Sequence, residues 1–356
     1  MRMGIVGLPQ SGKKTLFSLI AGGEDAISQK GDKKIAIAKV NDKRVDELCK
    51  YYNPKKKTYA TVEFVLVPSL TKDESERRRV FALMSEVNAL LFVVRAFEDE
   101  SVYHIDGAVD PVRDINTLIY ETIFNDLDLI ERRLSNIEKD IKRKKTDLLI
   151  REKEILENFK SSLENMTPLH NLEIGEEDLK LVKGFNFLSL KPFLILLNVS
   201  EEDAKKGEIL EKVKESFSSS KDMTFLQFCA VLEKEISELE SEEDKEIFLK
   251  DIGFSESAID RIIKKAYETL GYISFFTVGS DEVRAWSIRK GSTAPTAAGA
   301  IHTDLERGFI RAEVMKFDDF VTLGSEENCK KNGKFYLKGK DYIVEDGDIL
   351  TIRFNV

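Results

Sequence analysis

Cysteine is scarce in this 356-residue chain, with only Cys49, Cys229 and Cys329. An odd, widely spaced set builds no disulfide framework and has no zinc-ligand spacing. A reducing, cytoplasmic setting is therefore expected. Long apolar runs are also missing. Stretches such as Phe193–Leu197 fall far short of the ~20 residues that span a bilayer, so no membrane partner is expected. The first residues lead straight into a strand-like segment instead of a charged-then-apolar leader, and no secretory signal is expected. Positive charge is not in excess. Lys and Arg number 55 against 64 Asp and Glu, a net charge of −9, which argues against a globally basic nucleic-acid binder and leaves room for a local basic patch. His104, His170 and His302 share no metal-ligand or triad-like spacing, so ordinary surface or hydrogen-bonding roles are expected. There is no internal repeat and no low-complexity linker.

What is present is a chain with 42% hydrophobic and 33% charged residues, enough for a sizeable core in two or three domains. Arg2–Gly7 reads as a short strand ending at glycine, and Leu16, Phe17, Leu19 and Ile20 then recur at helical spacing. Apolar runs at Ile35–Val40, Val62–Val67, Ala89–Val94, Pro192–Leu197 and Phe225–Ala230 are separated by polar or helical stretches. Several are unbroken, as in strands covered on both faces, so an α/β domain with a mainly parallel sheet is predicted.

Neither proline nor glycine occurs from Val112 to Thr167. Leu127, Ile130, Leu134, Ile137 and Ile141 alternate by three and four, and Leu148, Ile155, Phe159, Leu163 and Met166 continue an apolar face. Two long amphipathic helices are predicted, forming an antiparallel coiled-coil hairpin inserted into the α/β domain. The basic run Lys142, Arg143, Lys144, Lys145 lies near the middle. It reads either as a solvated helix end or as a contact for RNA or an acidic partner. Glu233–Lys250 reads as acidic and helical, and Ser255–Leu270 as a further helix stopped by Gly271. The remaining residues read as a small mixed-sheet domain, in which Ile273–Val278 and Val283–Trp286 flank a hairpin turn. For Trp286, core packing is favoured over base stacking.

The strongest chemical signal is Gly7-Leu8-Pro9-Gln10-Ser11-Gly12-Lys13-Lys14-Thr15 between a strand and a helix. The pattern G-x-x-x-x-G-K-[ST] cradles phosphates with inward-pointing N–H groups, aided by the positive end of the helix. Gly7, Gly12 and Lys13 fit it. The hydroxyl that would bind Mg²⁺ is replaced by Lys14, and Thr15 falls one residue late, turned by about 100°. An ammonium cannot ligate a cation. Lys14 either takes the metal's place and neutralises phosphate directly, with one charge instead of two, or points to solvent.

With these residues on view, the sequence resembles the YchF family of Obg-like ATPases, within the translation-factor class of P-loop proteins. Gly7-Leu8-Pro9 with Gly12-Lys13 and Thr15-Leu16-Phe17 is similar to that family's phosphate loop. Val94-Arg95-Ala96-Phe97-Glu98-Asp99 resembles its V-R-C-F-E-D strand, and Asn198-Val199-Ser200-Glu201 its N-V-N-E base motif. Glu282–Trp286, Lys290–Pro295, Ile301–Glu313 and Gly339–Val356 resemble its TGS domain. The resemblance implies a G domain at 1–120 and 185–272, a coiled-coil hairpin inserted at 121–184, and a C-terminal β-grasp TGS domain at 273–356, to which His302 would contribute. It implies a ribosome- or RNA-associated, nucleotide-switched factor. In most G proteins the base motif is N-K-x-D. Here Val199 and Glu201 stand at the Lys and Asp positions, and the family's similar change goes with adenine, so ATP is expected over GTP. Without the resemblance, Asn198 could simply end a buried strand.

The chain departs from the family at three metal or γ-phosphate contacts. Where the family has D-I-A-G, this chain has Leu66-Val67-Pro68-Ser69, with leucine for the acid and serine for the glycine. Pro68 has no N–H to offer. The glycine-rich switch is replaced by Thr71–Glu76, and the upstream switch by Ala26–Lys33. Phosphoryl transfer depends on metal and electrostatic positioning, so weak or absent NTP hydrolysis is expected, without a well-held Mg²⁺. No residue presents itself as catalytic. The alternative is a pseudo-NTPase scaffold that acts through its TGS domain and coiled coil.

Overall fold

The computed structural model describes residues 1–23, 26–30, 33–71, 73–218, 223–239 and 241–355. Gly31, Asp32, Lys72, Glu240 and Val356, which fall in stretches singled out above, lie outside them. The chain divides into two compact units, Met1–Ile37 with Glu63–Ile262, and Ala38–Val62 with Ile263–Val356.

The first unit is built on a seven-stranded sheet. Its strands are β1 (Arg2–Val6), β2 (Ser28–Lys30), β3 (Lys33–Lys39), β5 (Thr61–Leu66), β6 (Ala89–Ala96), β7 (Phe193–Val199) and β8 (Met223–Phe228), in the order β2-β3-β5-β1-β6-β7-β8. From β5 through β8 every pairing is parallel, and β2 joins β3 antiparallel. Every residue of β6 and β7 is buried, which is why these strands appear as unbroken apolar runs.

The helix Pro111–Arg143 serves two purposes. Ile115, Leu118, Ile119 and Ile123 join the core that includes β6, whereas Ile130 and Ile137 lie farther along, where Ile155, Leu156 and Phe159 of the antiparallel helix Asp147–Glu164 continue the core. Asp110 caps the first helix by accepting from the Arg113 N–H, and Thr146 caps the second by accepting from the Leu149 N–H. The bend thus falls at 144–146, beside the basic run. Asp126 sits on the buried face and accepts hydrogen bonds from the Leu188 and Ser189 N–H groups and the Ser189 hydroxyl at 2.9, 2.8 and 2.7 Å, fixing the returning chain to the hairpin's base. The single helical run expected over Glu233–Lys250 is two helices, Ala230–Glu238 and Glu242–Asp251, the second capped by the Ser241 hydroxyl.

The second unit holds a six-stranded sheet formed by β4 (Lys56–Thr58), β9 (Tyr272–Thr277), β10 (Glu282–Arg289), β11 (Phe309–Lys316), β12 (Tyr336–Lys338) and β13 (Asp348–Phe354). Their order is β12-β11-β13-β9-β10-β4. The hairpin β9–β10 is antiparallel, while β13 lies parallel to β9. Ala294, Ala297 and Ala298 of the helix Ala294–Ile301 pack with Phe275, Ile288, Ala312, Val314 and Leu350. Trp286 is half-buried against this core. Its Nε1 donates to Thr277 Oγ1, and Arg284 lies over its ring at 3.8 Å. Residues 38–62, expected within the nucleotide-binding domain, cluster instead with this unit. There β4 pairs with β10, Tyr51 and Tyr52 pack on Phe320 with ring centroids 5.3 and 5.5 Å apart, and Arg44 pairs with Asp346.

Candidate functional site

The loop Gly7–Gly12 leaves the buried end of β1 and enters the helix Lys13–Ala21. Its glycines are demanded by space as well as by rotation. A Cβ on Gly7 would meet the Val93 carbonyl oxygen at 2.5 Å and Ser11 Oγ at 2.7 Å. Gly12 has φ +92°, and a Cβ there would lie 2.3 Å from Asn198 Nδ2. Gln10 also has a positive φ, 62°, and is exposed, while Pro9 is half-buried. Neither Gly7 nor Gly12 therefore has room for a side chain.

Lys13 is only 5% exposed. Its Nζ donates to the Gly7 carbonyl at 2.9 Å and to the Ser69 hydroxyl. Burial, with Lys14 nearby adding like charge, lowers its pKa to about 8. Ser11 is buried too, and its Oγ has no hydrogen-bond partner among the described residues. Lys14 and Thr15 are exposed on the first helical turn.

The candidate base motif is joined to this loop. Asn198, buried at the end of β7, donates from Nδ2 to the Ser11 carbonyl at 3.2 Å and accepts at Oδ1 from the Ala230 N–H at 3.3 Å. One amide therefore braces the phosphate loop against the start of the helix Ala230–Glu238. Val199 is buried in the strand. Glu201 is exposed and receives an ion pair from Lys205 at 2.9 Å. The basic run Lys142–Lys145 lies apart at the hairpin bend and is exposed.

Two features escaped sequence reasoning. The Lys13–Ser69 contact joins positions 56 apart, and nothing local marks it. Behind the loop, Leu8, Pro9, Ser11, Arg95, His104 and Asp114 come together. His104 is 4% exposed, and its Nε2 lies 2.9 Å from Asp114 Oδ2. Arg95 donates to the carbonyls of Phe97, Asp99 and Val102, which shapes the segment after β6. His104 therefore has the hydrogen-bonding role expected of it, in a buried setting.

The cradle fits nucleotide phosphates. Gly7 and Gly12 admit backbone where a Cβ could not stand, and a buried lysine and an unpartnered buried hydroxyl lie at the loop. The residues do not fit Mg²⁺. Leu66 ends β5 in register with Ile5 of β1, so an apolar side chain stands where a supporting acid would be needed. Among the described residues no cluster of three His, Cys, Asp or Glu is arranged to hold a metal. Cys49, Cys229 and Cys329 are free thiols, and burial raises the pKa of Cys49 and Cys329. Among the described residues no helix is long and apolar enough to cross a membrane.

The family model YchF-GTPase_C, described as a protein of unknown function (DUF933), matches residues 272–355. The chain is 40% identical to the "Ribosome-binding ATPase YchF" of Bacillus subtilis, over 99% of each sequence. It is 36% identical to the "Obg-like ATPase 1" of Oryza sativa, over 100% of this chain and 92% of that protein. The solved structure of the Schizosaccharomyces pombe YchF GTPase superposes with a TM-score of 0.86 at 29% identity, covering 99% of this chain and 97% of that one. Near-complete coverage by relatives of this kind, on an α/β P-loop fold with a separate C-terminal sheet, makes the chain a member of the YchF family.

Proposed function

We propose that this chain is a cytoplasmic, nucleotide-binding factor that associates with ribosomes. The observation that carries the nucleotide reading is the loop itself, in which Gly12 is left-handed, Lys13 is buried beside the Gly7 carbonyl, and Asn198 braces Ser11. Gly7, Pro9, Gln10, Ser11, Gly12, Lys13, Lys14 and Thr15 would surround the phosphates. Asn198, Val199 and Glu201 would border the base and favour ATP over GTP, since the Lys and Asp of the guanine motif are absent. Hydrolysis would be weak or absent. The reading of 1–120 and 185–272 as a G domain, 121–184 as a hairpin insertion and 273–356 as a TGS domain is part of this proposal, with residues 38–62 reassigned to the unit that holds 273–356.

Ribosome association is carried by the relatives' names. The hairpin bend supports RNA as the surface met there. Along the hairpin, Arg132, Arg133, Arg151, Lys153 and Lys160 each lie within ion-pair distance of a carboxylate. Lys142, Arg143, Lys144 and Lys145 are exposed with no such partner among the described residues. Exposed cations of this kind at the hairpin bend suit a phosphate backbone, whose condensed counterions they would release on binding.

Co-sedimentation with purified ribosomes under ATP, ADP or no nucleotide tests the reading. Association that differs between ATP and ADP is expected, because a switch must bind its two nucleotides differently in its two states. Association indifferent to nucleotide would overturn the switch and favour the scaffold.

A further inference from the structure

Three features of the phosphate site point the same way. The helix position of the metal-binding hydroxyl holds Lys14, which is exposed. The strand end beside β1 holds Leu66 where an acid would support the metal. The third is Ser69, whose oxygen accepts from Lys13 Nζ. An oxygen that accepts from lysine keeps its own O–H proton, and that proton is available to another acceptor. Lys13 spends two N–H groups on Gly7 and Ser69 and has a third to offer. The two side chains together thus present donors at the loop, and among the described residues no group of three His, Cys, Asp or Glu is arranged to hold a divalent ion.

We propose that this site takes its nucleoside triphosphate without a divalent cation, with Lys14 supplying the compensating charge and the Ser69 hydroxyl, held by Lys13, contacting the terminal phosphate. The inference rests on the nucleotide-binding reading above and deepens it. The ligand is the free, fully anionic triphosphate. Chelated Mg²⁺ would gain no ligand from Lys14 or Leu66, and its charge would be opposed by the Lys14 ammonium. Without the charge neutralisation that a metal gives in phosphoryl transfer, such a site would hold the triphosphate with little hydrolysis.

The experiment is a titration of the full, nucleotide-stripped chain with ATP and with ADP, in excess EDTA and in millimolar Mg²⁺. ATP is expected to bind in EDTA at least as tightly as in Mg²⁺. Ser69→Ala should weaken ATP about tenfold or more and ADP much less, as expected for a hydrogen bond to a charged group made only by the terminal phosphate. Ser69→Thr keeps the hydroxyl and should keep the ATP affinity. Lys14→Thr, which restores the motif hydroxyl, should weaken binding in EDTA. ADP binding serves as the control that each variant is folded at the loop. ATP binding that requires Mg²⁺ would overturn the metal-free inference and leave the nucleotide reading standing. Equal losses of ATP and ADP in Ser69→Ala would overturn the terminal-phosphate role. No binding of either nucleotide in either buffer would overturn both readings.

Discussion

Asn198 is the point at which the two halves of the proposed nucleotide site are tied, and removing it should loosen both. In Asn198→Ala the Ser11 carbonyl loses the donor at 3.2 Å and the Ala230 N–H loses the acceptor at 3.3 Å. Each bond is worth about 1 kcal/mol net, and leaving a buried partner unpaired adds about 1 more, so the loss should be about 2–4 kcal/mol. For a unit of this size that lowers Tm by roughly 5–15 °C, read as the first transition in calorimetry. A second substitution makes the test sharper. Gly12→Ala in the natural chain meets both the left-handed backbone and the Asn198 amide, 2.3 Å from the new Cβ. In the Asn198→Ala background the amide is gone and only the backbone strain remains, about 1 kcal/mol. Gly12→Ala should therefore cost less in the double variant than alone, a positive coupling measured by a double-mutant cycle. An unchanged Tm in Asn198→Ala, or a Gly12→Ala penalty equal in both backgrounds, would refute this account of the loop.

Three further outcomes are expected. Lys13 has a pKa of about 8 in the free protein, and bound phosphate raises it, so binding takes up a proton above that pH. ATP affinity should be flat below pH 7 and fall by up to about tenfold per pH unit above pH 8. A flat profile through this range in titration calorimetry would contradict the assignment. Asp126→Ala leaves the Leu188 and Ser189 N–H groups without their acceptor and should cost roughly 3 kcal/mol or more in urea unfolding, with Asp126→Asn costing less because one oxygen remains. Replacing Lys142, Arg143, Lys144 and Lys145 by glutamine should lower the salt dependence of RNA binding by about 0.7–0.9 in log–log slope for each phosphate no longer neutralised. An unchanged slope would assign the tip to another partner or to solvent.

Much of this architecture could be read from the residues because it is dictated locally. Strands such as Ala89–Ala96 and Phe193–Val199 are covered on both faces, so apart from Arg95 and Asn198 near their ends they are apolar, which is a visible pattern. The phosphate loop was legible because its chemistry fixes a spacing. Features fixed by distant residues were less visible. Lys56-Lys57-Thr58 has nothing strand-like in its composition, and it pairs with β10 only because residues 38–62 belong with the second unit. Tyr51 and Tyr52 find Phe320 across more than two hundred residues of chain. Ser69 stands out in the sequence only as a replaced glycine, and its bond to Lys13 depends on where the loop after β5 passes. One buried polar group did leave a signal. Asp126 falls three residues after Ile123 and four before Ile130, on the same apolar stripe, where a carboxylate must have a dedicated set of donors.

On the proposed reading the loop Gly7–Thr15 binds nucleotide and the Asn198–Glu201 end of the site selects the base. Calorimetric titration of the stripped chain with ATP, ADP, GTP and GDP tests it most directly. Saturable binding with adenine nucleotides tighter than guanine nucleotides is the predicted result. Failure of all four to bind at millimolar concentration, or a preference for guanine, would contradict it.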